Sequence, residues 1–179
     1  MLCCTVLVSC DNSNPAPAPA PSESSSASRS TSESPSPSAT PPTLPAEAKG
    51  TSEKSAKAFV RHYVSLVNFA LRTGDAQALK AASSARCKSC RAVAANIEDV
   101  YGDGGSLTGK GWRVTVIEPV AEQPRSEPVL QTGVFVSPQD KVAKPGADVE
   151  RFDGGQNLMT FFLKRHSNAW IVSKWDQTR

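Results

Sequence analysis

Two cysteines three residues apart, Cys87 and Cys90, show the spacing that most directly suggests chemistry in this 179-residue chain. At positions i and i+3 near the start of a predicted helix, their Cα atoms lie about 5 Å apart, which a disulfide accepts. In an exported protein the default is a structural bridge. The flanking Arg86, Lys88 and Arg91 would favour a thiolate, so thiol–disulfide exchange is the alternative. A thioredoxin-like pair would follow a strand, whereas here a helix precedes it.

A metal centre would need more ligands than this pair supplies. Zinc takes four ligands, and the folded part adds only His62 and His166. One lies on the predicted first helix and the other in a predicted hairpin turn. We therefore predict no metal and no cofactor.

An acid–base site of the isomerase kind would need an Asp base and a Tyr or an acid facing an apolar cavity. Tyr63 lies on an apolar helix stripe, Tyr101 and Asp103 lie at a predicted helix end, and Asp153 lies in a predicted loop. No spacing among them forces these side chains to converge. We predict no catalytic residue, and a small-molecule cavity enzyme of the isomerase or cyclase type is the alternative.

Aromatic residues near the C-terminus, together with Tyr63, either line a pocket or pack the core: Phe161, Phe162, Trp170 and Trp175. Aromatic residues on strands next to a core are most often core residues. If one face stayed open, it would present a docking surface for a lipid, a peptidoglycan fragment or a protein.

The element that positions these residues is Ser55–Arg72, where apolar residues recur at helical spacing. Its stripe is too broad for a single partner helix and favours a sheet as the covering surface. Two more helices are predicted before residue 105, at 75–84 and 87–101. Strands are predicted at 112–117, 129–136, 158–164 and 170–175, and residues 137–155 are expected to form a long polar loop. The predicted class is α+β, with three N-terminal helices packed in the concave face of a curved, mostly antiparallel, cone-like sheet of about four strands.

Composition divides the chain into three parts. Residues 11–49 hold nine of the 14 prolines and many serines, so they are predicted to be a disordered tether. Residues 50–179 have the length of one domain. The net charge is +3, and the basic residues are scattered without a stripe or motif, so we predict no nucleic-acid partner.

Residues 1–10 end in Leu7-Val8-Ser9-Cys10, which resembles the lipobox of bacterial lipoproteins. That resemblance implies a diacylglyceryl group on the Cys10 thiol and a location on the outer face of the cell membrane. The apolar run is shorter than a signal peptide and lacks a positively charged n-region. We therefore expect either a true start upstream of Met1 or no export.

Three helices followed by about four long antiparallel strands resemble the cone-shaped fold of nuclear transport factor two, which ketosteroid isomerases and polyketide cyclases share. Thr73-Gly74-Asp75 resembles the break after the first helix of such domains, and Asn168-Ala169-Trp170-Ile171-Val172 resembles their closing strand. With the lipobox, the tether and Arg86-Cys87-Lys88-Ser89-Cys90, these motifs resemble an uncharacterised family of actinobacterial lipoproteins. The resemblance covers roughly residues 50–179 and carries over no functional residue.

The sequence therefore predicts a membrane-anchored extracytoplasmic lipoprotein. Its folded domain is interpreted as a non-catalytic binding or accessory module of the cell envelope, with an envelope protein or a small apolar ligand as the partner. The cavity enzyme is the first alternative, and a thiol–disulfide accessory protein acting through Cys87 and Cys90 is the second.

Overall fold

The computed structural model of the chain describes residues 39–178. The expected signal segment 1–10, with its lipid-attachment residue Cys10, and most of the expected tether lie outside the described residues. Within residues 39–178, no helix is both long enough and apolar enough to cross a bilayer.

Three α-helices come first, as predicted: α1 (Glu53–Thr73), α2 (Gln77–Ala81) and α3 (Lys88–Gly102). The Ser52 side chain caps α1 by accepting a hydrogen bond from the Ser55 N–H. Gly74 ends α1 in the left-handed conformation (φ 76°), and its N–H bonds the Ala70 carbonyl. The predicted stop at Thr73-Gly74-Asp75 is confirmed.

A four-stranded antiparallel sheet, in the order β2-β3-β6-β7, forms the main layer. These strands match the four predicted ones: β2 (Trp112–Pro119), β3 (Val129–Val136), β6 (Gly155–His166) and β7 (Ala169–Thr178). The β6–β7 hairpin turns through Ser167 (φ 46°) and Asn168 (φ 64°), two successive positive φ angles that suit a tight hairpin. The predicted C-terminal hairpin is confirmed.

A second, three-stranded antiparallel sheet was missed by the sequence analysis. It pairs β1 (Ser106–Gly109), β4 (Gln139–Val142) and β5 (Val149–Phe152) in the order β1-β4-β5. The expectation of a long loop over 137–155 is therefore wrong. These strands are short and polar, and cross-strand ion pairs link β4 to β5 in place of an apolar face: Asp140–Arg151 at 2.7 Å and Lys141–Glu150 at 3.3 Å.

The helices cover one face of the four-stranded sheet, and the buried core lies between the two layers. Phe59, Tyr63 and Val67 of α1 belong to one cluster with residues of the sheet such as Leu130 and Phe161. The α+β class is confirmed, with three helices followed by sheets of three and four strands.

Packing against this core begins before residue 50, within the segment expected to be tether. A short 3-10 helix spans Ala46–Lys49, where Ala48 is 1% exposed, and Leu44 packs against the core. Leu44 and Ala48 are isolated apolar residues in a proline-rich segment, so no periodic pattern in the sequence indicated that the domain begins before residue 50.

Candidate functional site

The centre of the helix–sheet interface is filled by aromatic rings. Tyr63 of α1 packs edge-on against Phe161 of β6 at 5.9 Å between ring centroids, and Phe161 lies 6.4 Å from Trp175 of β7. Trp175 meets Trp112 of β2 edge-to-face at 6.3 Å. Of the five predicted aromatic residues, three therefore lie together, and Trp112 joins them.

The contact between the two indoles shows how strongly the sheet curves. β2 and β7 are the outer strands of the four-stranded sheet, three strand spacings or about 14 Å apart in a flat sheet. The residue of β2 in register with Trp175 is Pro119, so Trp112 and Trp175 would lie farther apart than that. Their indole rings nevertheless touch. The pair packs against the core on the helix-facing side of the sheet.

The Tyr63 hydroxyl is the polar group of the aromatic cluster with a hydrogen bond to the helical layer. It shares a hydrogen bond of 3.1 Å with the Ser83 hydroxyl. Burial raises the pKa of Tyr63 to about 12, an effect that hydrogen bonding to the side chains of Ser83 and Trp175 partly offsets. No aspartate or glutamate is buried within residues 39–178. The cluster therefore offers packing and one neutral hydroxyl, without the carboxylate that acid–base chemistry of the isomerase kind requires.

The other residues considered for acid–base chemistry do not approach Tyr63. Tyr101 donates its hydroxyl to the Leu71 carbonyl at 2.7 Å, so it ties α3 to the end of α1. Asp103 is the exposed C-cap of α3, and Asp153 is exposed between β5 and β6.

Phe162 and Trp170 lie apart from the aromatic cluster. Phe162 is half-buried on the opposite face of the sheet, where the Lys174 ammonium lies 5.1 Å from its ring centre. Trp170 is buried, donates its indole N–H to the Ser55 hydroxyl at 3.1 Å, and is covered by the Arg165 guanidinium. Both have packing partners, and neither joins a common pocket with Trp175.

Cys87 and Cys90 form a disulfide at the start of α3, with an S–S distance of 2.02 Å and a Cα–Cα distance of 5.3 Å. The residues are 1% and 2% exposed and belong to the core cluster. Ser89, between them, donates its hydroxyl to the Trp175 carbonyl at 2.7 Å. The Ser89 hydrogen bond joins α3 to the end of β7, and the bridge closes the first turn of α3 inside the core, where a thiol reagent has no direct access.

Neither histidine belongs to a group of side chains that could bind a metal ion within residues 39–178. His62 is 8% exposed on α1, and burial lowers its pKa. His166 is exposed at the β6–β7 turn. No group of three or more His, Cys, Asp or Glu side chains within residues 39–178 is arranged to hold a metal ion.

A narrow crevice, which the sequence did not predict, lies between the last turns of α1 and the three-stranded sheet. We call it the α1–β4 crevice; its lining includes Asn68, Leu71, Arg72, Leu107, Lys110 and Gln139. Its accessible volume is about 20 Å³, room for roughly one water-sized group. The Nε2 atom of Gln139 is buried and has no hydrogen-bond partner in the part of the chain that the structure describes.

Two hydrogen bonds fix the wall of the α1–β4 crevice. The Asn68 Oδ1 atom accepts the Trp112 N–H at 2.7 Å, and the Asn68 Nδ2 atom donates to the Trp112 carbonyl at 2.8 Å. Gly111 lies so close that a Cβ there would approach the Asn68 Oδ1 atom to 2.4 Å. The only sequence signal for this wall is Gly109-Lys110-Gly111, a glycine-flanked link between two strands.

A family model described as a family of unknown function, DUF6318, matches residues 27–176. The match spans most of the chain. The protein belongs to the DUF6318 family. None of the curated proteins compared with this DUF6318 chain matches it.

Solved structures match the DUF6318 fold at low identity. The intermembrane space region of the chloroplast protein ARC6 is 8% identical with a TM-score of 0.52, over 69% of this chain and 94% of that one. At this identity the likeness concerns the fold alone. A structure named as an NTF2 variant, Rd1NTF2_05, is a weak neighbour at 11% identity and a TM-score of 0.38, over 69% of this chain and 99% of that one.

Proposed function

We propose that this DUF6318 protein is an actinobacterial lipoprotein held on the outer face of the cell membrane by a lipid on Cys10. Its folded domain acts as a non-catalytic binding or accessory module of the cell envelope. The nuclear transport factor two-like description of its fold belongs to the same proposal.

The observation that carries the non-catalytic part is the filled interior. Tyr63, Phe161, Trp175 and Trp112 pack each against the next between the helices and the four-stranded sheet. The Tyr63 hydroxyl is engaged with Ser83, and its raised pKa keeps it protonated near neutral pH. A module with this interior meets partners through its surface.

The anchoring part is supported by the order of segments along the chain. A lipobox-like Leu7-Val8-Ser9-Cys10 is followed at once by a serine- and proline-rich stretch and then by the packed domain. As a flexible coil, the 39 residues from 11 to 49 would span about 35 Å on average, and as an extended polyproline helix about 120 Å. Such a spacer suits a domain that reaches a partner away from the bilayer.

Mass spectrometry of the N-terminal peptide from cells making the protein tests the anchor. The expected result is a peptide that begins at Cys10 and carries a diacylglyceryl mass, with the protein in the membrane fraction. The variant Cys10→Ala is expected to lose both the lipid and the membrane association, and Cys4→Ala serves as its matched control. An unmodified N-terminus with the intact protein free in the cytosol would overturn the anchor proposal.

Dye binding tests the filled interior. The oxidised protein is expected to give no saturable fluorescence increase with 8-anilinonaphthalene-1-sulfonate. Trp112→Ala, which removes one of the two bridging indoles, is expected to admit the dye. Saturable binding by the unaltered protein would favour the cavity enzyme or a small apolar ligand instead.

A further inference from the structure

The four-stranded sheet has a second face, which points away from the helices, and we call it the outer face. Val134 is fully buried on the helix side, so its neighbours Gly133 and Phe135 on β3 belong to the outer face. Val116 of β2 and Leu158 of β6 lie in register with Gly133. These two large apolar side chains are 47% and 40% exposed. An apolar row that is open to solvent therefore crosses the outer face from β2 to β6.

The middle of this apolar row is low because Gly133 has no side chain. A Cβ at Gly133 would lie 2.8 Å from the Val116 Cγ1 atom and would also meet the Thr115 hydroxyl. The Gln156 amide donates a hydrogen bond to that hydroxyl at 3.0 Å, from β6 to β2 across the intervening strand. The surface between Val116 and Leu158 is therefore held level, and a second sheet can approach it closely.

The charged residues of β2 lie on either side of Val116 along the strand. Arg113 precedes it on the outer face, with its guanidinium carbon 5.4 Å from the centre of the Phe135 ring. Within residues 39–178, Arg113 forms no ion pair. Glu118 follows Val116, and its carboxylate lies 4.0 Å from the Lys57 ammonium, at the limit of an ion pair. β2 therefore presents a cation, an apolar residue and an anion in that order.

This order is complementary to itself under a two-fold rotation. An axis along the apolar row turns each strand end for end over the same strand of a second copy. Val116 and Leu158 then each face their own counterparts, and Arg113 of either copy faces Glu118 of the other. A two-fold axis parallel to the strands would place β2 over β7 and bring Glu118 toward Asp176, which lies in the same row of the sheet. Charge complementarity therefore selects the axis along the apolar row.

We propose that the outer face is the contact surface of a homodimer, in which two copies of this chain pack sheet on sheet about an axis along the Val116–Leu158 row. Strands of eight residues and three strand spacings give this face a projected size of roughly 26 Å by 14 Å. Each partner of a standard complex buries ~800 Å² of accessible surface, so the dimer is expected to be weak in solution. On a membrane, lipid anchors would hold the copies close together and raise their effective concentration.

The homodimer names one partner for the binding module of the proposed function, namely a second copy of the chain. Only its strengthening at a membrane rests on that proposed function. The association in solution is measured without the lipid at Cys10, so failure of the dimer and failure of the anchor are separate results.

Sedimentation equilibrium of the oxidised, unlipidated full chain, with alanine at Cys3, Cys4 and Cys10, measures the association. The expected result is a reversible monomer–dimer equilibrium at protein concentrations of roughly 0.1 mM. Leu158→Glu places two like charges at the axis and is expected to abolish the dimer. Val149→Glu is the matched control, because Val149 is 60% exposed on the three-stranded sheet and should not affect association.

Charge reversal tests the position of the axis. Arg113→Glu and Glu118→Arg each place like charges opposite one another at two points of the interface, and each alone should weaken the dimer about tenfold or more. The double variant restores opposite charges at both points and should recover most of the affinity. Recovery would not be expected for the axis parallel to the strands.

The proposal is overturned if the protein stays monomeric up to about 1 mM, a concentration at which even weak complexes form. It is also overturned if Leu158→Glu associates as strongly as the unaltered chain, or if the double charge reversal is as weak as the single ones. Methyl resonances of Val116 and Leu158 reveal a different occupant. If they shift on deletion of residues 11–38 and not with protein concentration, the N-terminal segment of the same chain occupies the face and the homodimer is refuted.

Discussion

The Cys87–Cys90 bridge permits a quantitative prediction that separates a structural role from a redox role. The perturbation is reduction of the bridge in a chain that carries alanine at Cys3, Cys4 and Cys10, so that no other thiol contributes. In the chain-entropy model, a closed loop of four residues restrains the unfolded state by about 6 cal/mol/K, which is about 2 kcal/mol at 25 °C. Reduction should therefore lower the free energy of unfolding by about 2 kcal/mol.

Denaturant unfolding of the oxidised and reduced forms measures this difference. For a domain of this size, 2 kcal/mol corresponds to a fall in the melting temperature of about 5–10 °C. The slope of the denaturant dependence should change little if the folded states are alike. A difference near zero would mean that the bridge strains the native state by as much as it restrains the unfolded one.

The rate of reduction tests access to the sulfurs. Cys87 and Cys90 are almost completely buried, so dithiothreitol must wait for the start of α3 to open. A local opening free energy of about 3 kcal/mol would make reduction more than a hundredfold slower than in the unfolded chain. Reduction of the folded protein at the unfolded rate, or catalysed exchange with oxidised glutathione, would refute the structural reading and restore the redox alternative.

Three further predictions concern single side chains. The Thr132 hydroxyl is fully buried and has no hydrogen-bond partner among residues 39–178. Thr132→Val should therefore stabilise the fold by about 1 kcal/mol in denaturant unfolding, whereas Thr132→Ser should not. Gly111→Ala should lower the free energy of unfolding by about 3 kcal/mol, because the residue has a positive φ and a Cβ would displace the Asn68 amide. Gly146→Ala also meets a positive φ but has open space around it, so it should lower the free energy of unfolding by about 1 kcal/mol. Burial lowers the pKa of His62 in the folded protein, so below pH 6.5 the unfolded chain binds more protons than the folded one. The free energy of unfolding should therefore fall as the pH drops from 6.5 toward the pKa of the folded state. His62→Gln should remove this pH dependence of stability.

Periodicity alone identified the parts of the fold that bury apolar faces. The α1 stripe of Val60, Val64 and Val67 is buried as expected, and the strands with alternating apolar residues coincide with the four-stranded sheet. His62 lies one position off that stripe. It is buried at 8% exposure, beside a groove that it shares with Pro42 and Pro45 of the segment before α1.

The three-stranded sheet left no comparable signal in the sequence. β5 reads Val149-Glu150-Arg151-Phe152, with all four residues exposed, and β4 is half-buried throughout. An apolar–polar alternation arises only where one face is buried against a core. Here the pairing is supported by contacts such as Asp140 with Arg151, which are 11 residues apart and carry no local pattern.

The α1–β4 crevice was unpredictable for a related reason. Its parts come from α1, from the link between β1 and β2, and from β4, and the hydrogen bonds that fix its wall join Asn68 to Trp112 across 44 residues. From residue type alone, Asn68, Arg72 and Gln139 would be interpreted as ordinary surface side chains. Only the tertiary structure shows that one of their amide groups is buried without a partner.

The two sheets contribute unequally to the core and therefore to the stability of the domain. The helix-facing side of the four-stranded sheet packs against the helices, and its residues Trp112, Phe161 and Trp175 pack against one another or against Tyr63 of α1. The three-stranded sheet adds little to the core, since among its residues only Leu107 packs against it, yet it holds Gln139 in place beside α1 and presents Phe152 to solvent. The ion pairs that link β4 to β5, Asp140 with Arg151 and Lys141 with Glu150, lie at the surface, where such pairs add little stability. We therefore expect a substitution at the exposed Phe152 to leave the melting temperature nearly unchanged, whereas a large-to-small change at the buried Phe161 should lower it clearly.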